Sequence, residues 1–212
     1  MAKKPAPAKT SNTRSKNNES AKAGKSVRFT APGLTSGEGT TMARLLQERL
    51  VSLIDLGLTL KHIHWNVVGP TFIGVHTMLD PQVDGVTAMT DEVAERIATL
   101  GQDPNGLAGN LVGSRGWDDY SLGRALVSQH LGALDLVYCG VIEDHRNAIK
   151  ECGDVDPITE DLLVSQTRTL EQYHWFVRAH LESSSGMLST AGAKTETDAA
   201  ANARSDARSK VA

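Results

Sequence analysis

Cysteine is scarce in this chain: of 212 residues only Cys139 and Cys152 are cysteines, and they are not spaced as a CxxC pair. Two thiols cannot build a disulfide framework. They point to a reducing compartment and are read as small buried hydrophobes. No run reaches the ~18 apolar residues that a membrane span requires. The N-terminus, rich in Lys, Pro, Ala and Ser, lacks the apolar stretch of a secretory signal. A soluble, cytoplasmic protein is therefore expected. Period-two alternation of apolar residues is also missing, so the chain is expected to be all-α.

The formal net charge of −3 conceals a segregation. Residues 1–28 carry Lys3, Lys4, Lys9, Arg14, Lys16, Lys22, Lys25 and Arg28 against Glu19 alone, a net +7. Residues 183–212 carry four basic and three acidic residues, net +1, which leaves −11 on residues 29–182. An acidic body attracts cations and a basic arm attracts polyanions, so the two parts point to different partners.

Residues 1–28 have no periodic hydrophobes and read as a disordered basic tail. Thr40 or Thr41 is expected to cap a first helix, with Met42, Leu45, Leu46, Leu50, Leu53, Ile54, Leu58 and Leu60 on its apolar stripe and its end near Asn66. A second helix is expected from about Thr71 to Leu100, stopped by Gly101 and kinked at Pro81. The third is expected from Asp118 or Asp119 to Gly153, and the fourth from the Asp156-Pro157 cap to about Glu182. Four long helices predict a four-helix bundle over residues 29–182. The stretch at 101–118 is long enough to cross the end of the bundle and to hold a short helix of its own. Residues 183–212, small and polar, read as a second flexible tail.

The chemistry concentrates between His64 and Glu95. Gly69-Pro70 places His64 at a helix end and lets His76 open the next helix. At about 100° per residue, His76, Asp80, Asp91 and Glu95 fall at roughly 0°, 40°, 60° and 100°, within one stripe. Yet Asp80 and Asp91 are separated by about 16 Å of helix at ~1.5 Å per residue, whereas metal–oxygen bonds are about 2.0–2.2 Å. One helix cannot close a site around one ion. Two copies packed antiparallel about a twofold axis would bring His76 and Asp80 of one against Asp91 and Glu95 of the other, with His64 adding a nitrogen ligand. Two imidazoles and three carboxylates suit Fe(II), Mn(II) or Zn(II). Trp65, an oxidisable ring beside His64, is a candidate radical sink for stray one-electron equivalents or a packing residue at the contact between copies. Glu171-Gln-Tyr-His174 has the spacing of di-iron bundles, but such bundles need two copies of that motif and only one occurs.

The runs KHIHWNVVGPTFIGVHTMLD and DEVAERIATLG, with WDDY at 117–120, LDLVYCGVIED at 134–144 and YHWFVRAHLE on the fourth helix, resemble the Dps family, ferritin-like proteins of starved bacteria, most closely the actinobacterial type. The resemblance spans residues 29–182. It implies a ferritin-like four-helix bundle with a long crossover between helices two and three, assembled as a hollow dodecamer. Ferroxidase centres at the dimer interfaces would oxidise Fe(II) with hydrogen peroxide and store a ferric mineral. Carried over by position, His64 is an iron ligand together with Asp91 and Glu95 of the twofold partner, and His76 and Asp80 hold the second iron or its bridging water. Asp135, Glu143 and Asp144 are candidates for a pore lining, with a solvated helix face as the other reading. Lys3, Lys4, Lys9, Arg14, Lys16, Lys22 and Lys25 would bind DNA without sequence readout, which implies nucleoid association. The competing reading is a nucleoid-compacting scaffold whose metal site is structural.

Overall fold

A computed structural model describes residues 29–183 and 185–209; the basic leader with Lys3, Lys4, Lys9, Arg14, Lys16, Lys22 and Lys25 lies outside the described residues. Helix α1 spans Ser36–Asn66 and is followed by the two-residue strand β1, Val67–Val68, and by α2, Phe72–Thr99. A short helix α3, Ala108–Ser114, and strand β2, Ala125–Leu126, precede α4, Val127–Cys152, α5, Pro157–Leu181, and α6, Glu196–Ser209.

Helix α1 starts at a cap five residues before Thr40. Thr35 and Glu38 form a capping box in which the Thr35 hydroxyl accepts from the Glu38 N–H at 3.3 Å and the Glu38 carboxylate accepts from the Thr35 N–H at 2.7 Å. The Thr40 and Thr41 hydroxyls turn back onto carbonyls one turn earlier. The two glycines of SGEGTT mask this start, and Gly39 is there for a packing reason: a Cβ at that position would lie 2.2 Å from the Thr30 hydroxyl. The chain then reverses at Gly69, whose φ of +120° a side chain would oppose. Helix α2 runs unbroken through Pro81, whose carbonyl accepts a hydrogen bond from the Tyr173 hydroxyl.

The third long helix begins at Val127 rather than at Asp118 or Asp119. The residues before it are held as a loop: Arg115 pairs with Asp119 and, at 2.9 Å, with Asp55 of α1, and the Trp117 indole donates to the same Asp55 at 2.6 Å. β1 and β2 pair in parallel, Val67 with Ala125 and Val68 with Leu126, so α4 starts where α1 ends and runs back antiparallel to it. The connection from α2 to α4 is therefore the long crossover expected, but it runs the length of the bundle rather than across one end. Leu46, Leu53, Leu60, Leu79, Val86, Val93, Leu131, Leu134, Leu163, Leu170 and Val177 fill the centre with essentially no exposure. Leu58, expected inside, is exposed on the outer side of α1. No helix among the described residues is long and apolar enough to cross a membrane.

The C-terminal segment differs most from the sequence expectation. Instead of a flexible tail, residues 196–209 form α6, which buries Ala199, Ala200 and Ala203 against α4. Small side chains leave little periodic hydrophobic signal, and the contact works because α4 offers Gly132: a Cβ there would lie 2.6 Å from the Ala199 carbonyl oxygen. The Glu196 carboxylate accepts from the Ser121 N–H and holds the start of α6. Gly132→Ala would gain about 0.5–1 kcal/mol of helix propensity, but overpacking costs about 1–3 kcal/mol. The substitution is expected to release α6, seen as faster tryptic cleavage at Arg204 with little change in the melting of the bundle. Unaltered cleavage would show that this contact does not hold the helix.

Candidate metal centre

His64 lies in the last turn of α1 and His76 in the second turn of α2, and the reversal at residues 67–71 stacks their rings at 3.6 Å between centroids. Each imidazole is fixed by the other residue's backbone. The His64 Nδ1 lies 3.0 Å from the His76 carbonyl oxygen, and the His76 Nδ1 lies 3.0 Å from the His64 carbonyl oxygen. A carbonyl only accepts, so both Nδ1 atoms carry the proton and both Nε2 atoms present a lone pair. This is the arrangement in which histidine binds a metal, with the second nitrogen tied down to orient the first.

Asp80 follows His76 by one turn, and its Oδ1 lies 3.4 Å from the His64 Nδ1 and 3.5 Å from the Lys61 Nζ. His64 is nearly covered, with a side chain 10% exposed, whereas the Asp80 carboxylate is half open to solvent. His62, which completes the HIH triplet, points elsewhere: its Nε2 donates to the Leu122 carbonyl at 2.7 Å and clips α1 to the crossover.

The structure thus makes His64, His76 and Asp80 neighbours, without closing their ligand atoms into one group, and it does not bring Asp91 or Glu95 to them. Those two carboxylates sit on the same helix about three turns further on and are exposed. Asp91 lines an open groove with Asp84, Thr87 and Ile54. Both helices also carry exposed apolar side chains: Leu58 and Trp65 on α1 and Ile73 on α2 are 59%, 71% and 57% exposed.

The three pore candidates separate. Glu143 is exposed, and Asp144 is half-exposed and pairs with Arg49 at 3.4 Å. Asp135 is a correction: it is buried inside the chain, where its carboxylate accepts from His174, Arg178 and Thr190, so it can line no opening. Burial pushes its pKa up, but those three bonds outweigh burial and hold it down at about 2. The residues covering it come from α5 and from the segment after it, which a reading of α4 alone cannot reveal. Among the described residues, Asp135, Cys139 and His174 are also the one group of three potential ligands already in mutual contact. The Asp-x-x-x-Cys spacing on α4 was its only signal in the sequence. Glu171 of the discounted Glu-x-x-His motif pairs with Arg146 instead.

A helical bundle with a crossover and a cluster of imidazole and carboxylate ligands defines a ferritin-like protein, and residues 43–187 match the family described as a ferritin-like domain. The chain is 55% identical over 176 residues to the DNA protection during starvation protein of Mycolicibacterium smegmatis, covering 83% of this chain and 96% of that one. It superposes on the solved Mycobacterium smegmatis Dps with a TM-score of 0.78 at 55% identity, over 79% of this chain and 95% of the other. DpsA14 from Streptomyces coelicolor gives a TM-score of 0.76 at 57% identity, over 77% and 97% of the two chains. The chain belongs to the Dps family of ferritin-like proteins.

The reciprocal histidine arrangement has a direct check. Solid-state ¹⁵N NMR of histidine-labelled, metal-free protein at pH 8 is expected to show His64 and His76 as Nδ1–H tautomers, assigned by loss of each signal in His64→Gln and His76→Gln. An Nε2–H tautomer at either residue would mean that the exchange with the backbone is not formed.

Proposed function

We propose that this protein is an iron-oxidising and iron-storing mini-ferritin whose centres are completed between two copies of the chain, within a dodecameric cage. The observation that carries the reading is the division of the ligand stripe. His64, His76 and Asp80 are neighbours on one chain, the two remaining carboxylates stand about three turns further along the same helix, and α1 and α2 carry the exposed apolar side chains Leu58, Trp65 and Ile73. A twofold antiparallel contact covers those side chains and delivers Asp91 and Glu95 of one copy to His64, His76 and Asp80 of the other. Family membership supports iron handling and DNA protection.

In this reading Fe(II) is the substrate. The Nε2 atoms of His64 and His76 and the carboxylates of Asp80, Asp91 and Glu95 hold two ions side by side, and the fixed Nδ1 atoms keep the rings aimed. Two Fe(II) give two electrons to one hydrogen peroxide. Its O–O bond breaks, and with two protons the products are two Fe(III) and two waters. A lone Fe(II) gives one electron and releases hydroxyl radical, so pairing the ions is itself the protection. Trp65, exposed beside His64, gives one electron to an oxidising radical that escapes and is itself oxidised. The acidic body, with Glu143 and Asp144 on its surface, draws cations inward, while Lys3, Lys4, Lys9, Arg14, Lys16, Lys22 and Lys25 hold DNA phosphates without reading bases and place the cage at the nucleoid in the cytoplasm.

Mixing two inactive variants tests whether the centre is shared. His64→Ala and Asp91→Ala are each expected to lose peroxide-dependent oxidation of Fe(II). Co-refolded in equal amounts they should recover about a quarter of the native rate, because half of the random dimers pair the two variants and each such dimer has one intact site. No recovery, with both variants assembled, would place the ligands within one chain. Native turnover in the single variants would promote the scaffold reading. Separately, removing residues 1–28 is expected to abolish DNA binding, which in the full chain should weaken by about a thousandfold or more between roughly 50 and 200 mM salt if six or more phosphates are neutralised. Unchanged binding after the deletion would move the contact away from the leader.

A further inference from the structure

We propose that Asp135, Cys139 and His174 form a second metal site, complete within one chain and suited to a borderline divalent cation of the zinc class. It goes beyond the iron chemistry above and does not depend on it. Asp135 and Cys139 are one turn apart on α4 and share a face, and His174 meets them from α5. The His174 Nε2 lies 2.6 Å from the Asp135 Oδ1 and 3.9 Å from the Cys139 Sγ, and all three ligand atoms are within 4.8 Å of one another. Around a tetrahedral ion with bonds of about 2.0–2.3 Å, such atoms stand roughly 3.3–3.6 Å apart, so sub-ångström shifts seat an ion among them. One sulfur, one imidazole and one carboxylate favour zinc-class ions over the harder cations suited to the oxygen-and-nitrogen set of α1 and α2.

The supporting residues are those of a metal site. The Thr190 hydroxyl donates to the Asp135 Oδ2 at 2.6 Å and turns Oδ1 toward the cluster, and Tyr138 stacks on the His174 ring at 5.7 Å. A cavity of about 460 Å³, lined by Cys139, Glu143, Arg146, Glu171, His174 and Trp175, gives access from solvent. Positive charge already sits at the place: the Arg178 Nε donates to the Asp135 Oδ1 at 2.9 Å and its Nη2 to the Cys139 Sγ at 3.2 Å. The Arg178 side chain is 41% exposed and can swing into water when an ion replaces it. Binding releases the thiol proton and moves the imidazole proton from Nε2 to Nδ1, leaving a thiolate and a free Nε2 lone pair as ligands.

Cobalt alone is the probe, added to the full-length, reduced protein at pH 8. A thiolate-to-cobalt charge-transfer absorption is expected in the near ultraviolet, saturating at one ion per chain and erased by zinc. Cobalt bound at the imidazole and carboxylate ligands of α1 and α2 has no sulfur and gives no such band. The band is expected to persist in Cys152→Ser, to vanish in Cys139→Ser, and to require at least about tenfold more cobalt in His174→Gln. Arg178→Gln, which removes the resident charge, is expected to tighten binding about tenfold. A band that survives Cys139→Ser in folded protein overturns the proposal. So does the absence of any band at millimolar cobalt in both the native chain and Arg178→Gln, two proteins that keep all three ligands.

Discussion

Two hydrogen bonds between His64 and His76 join the fold to its chemistry. Each ring donates to the other residue's carbonyl, so α2 can return along α1 in one register only, with the two rings in contact. That register sets which side chains of α2 face the apolar stripe of α1, and so places Leu79, Val86 and Val93 in the core. It also decides that Asp80 reaches the histidines while Asp91 and Glu95, on the same face, do not. The His64 carbonyl, in the last turn of α1, is satisfied by the His76 ring, and in each ring the bonded nitrogen fixes the free one.

Much of this was legible in the residues. The three-and-four spacing of Met42, Leu46, Leu50, Leu53 and Leu60 marks α1, and the bundle with its long crossover follows from four such stripes and one long gap. Leu58 shows the cost of reading spacing without phase: at about 100° per residue it stands roughly 140° from Leu53, on the far side of the helix, and lies outside the core. Helix ends were harder. Asp118 and Asp119 resemble an N-cap, but Asp119 is taken by Arg115, and that pairing depends on a partner for Arg115 some sixty residues away on α1. Asp156 was placed correctly at the start of α5, although its carboxylate serves Arg96 at 2.6 Å rather than the helix backbone. At the candidate centre, the shared face of His76 and Asp80 and the separation of Asp91 and Glu95 follow from helical phase and rise, whereas the approach of His64 comes from the chain reversal after α1.

What could not be read were contacts that need the third dimension and leave no periodic trace. Helix α6 carries only alanines to the interface, and its docking rests on Gly132 of another helix. Asp135 looked like one acid of a solvated face because the groups that bury it, His174, Arg178 and Thr190, lie 39 to 55 positions further along the chain. Cys139 is another case. It is half-buried and hydrogen-bonded by Arg178, whereas Cys152 is the inert buried thiol that both were expected to be. Burial is the largest effect on both thiols and pushes both above the ordinary cysteine value, Cys152 to about 11.

Asp55 is a small feature with an entropic meaning. The connection from α2 to α4 is long, and an unanchored segment of that length would retain many conformations while its ends were held by the bundle. One carboxylate on α1 receives both Arg115 and Trp117, and the β1–β2 pair takes the far end. The segment is thereby divided into two shorter closures, each cheaper by roughly 0.6 kcal/mol for every halving of its length. Once the first closure is made, the second has little freedom left to lose. Ordering of the crossover is therefore expected to be cooperative, with Asp55 as the point at which a wandering strap becomes a fixed part of the bundle.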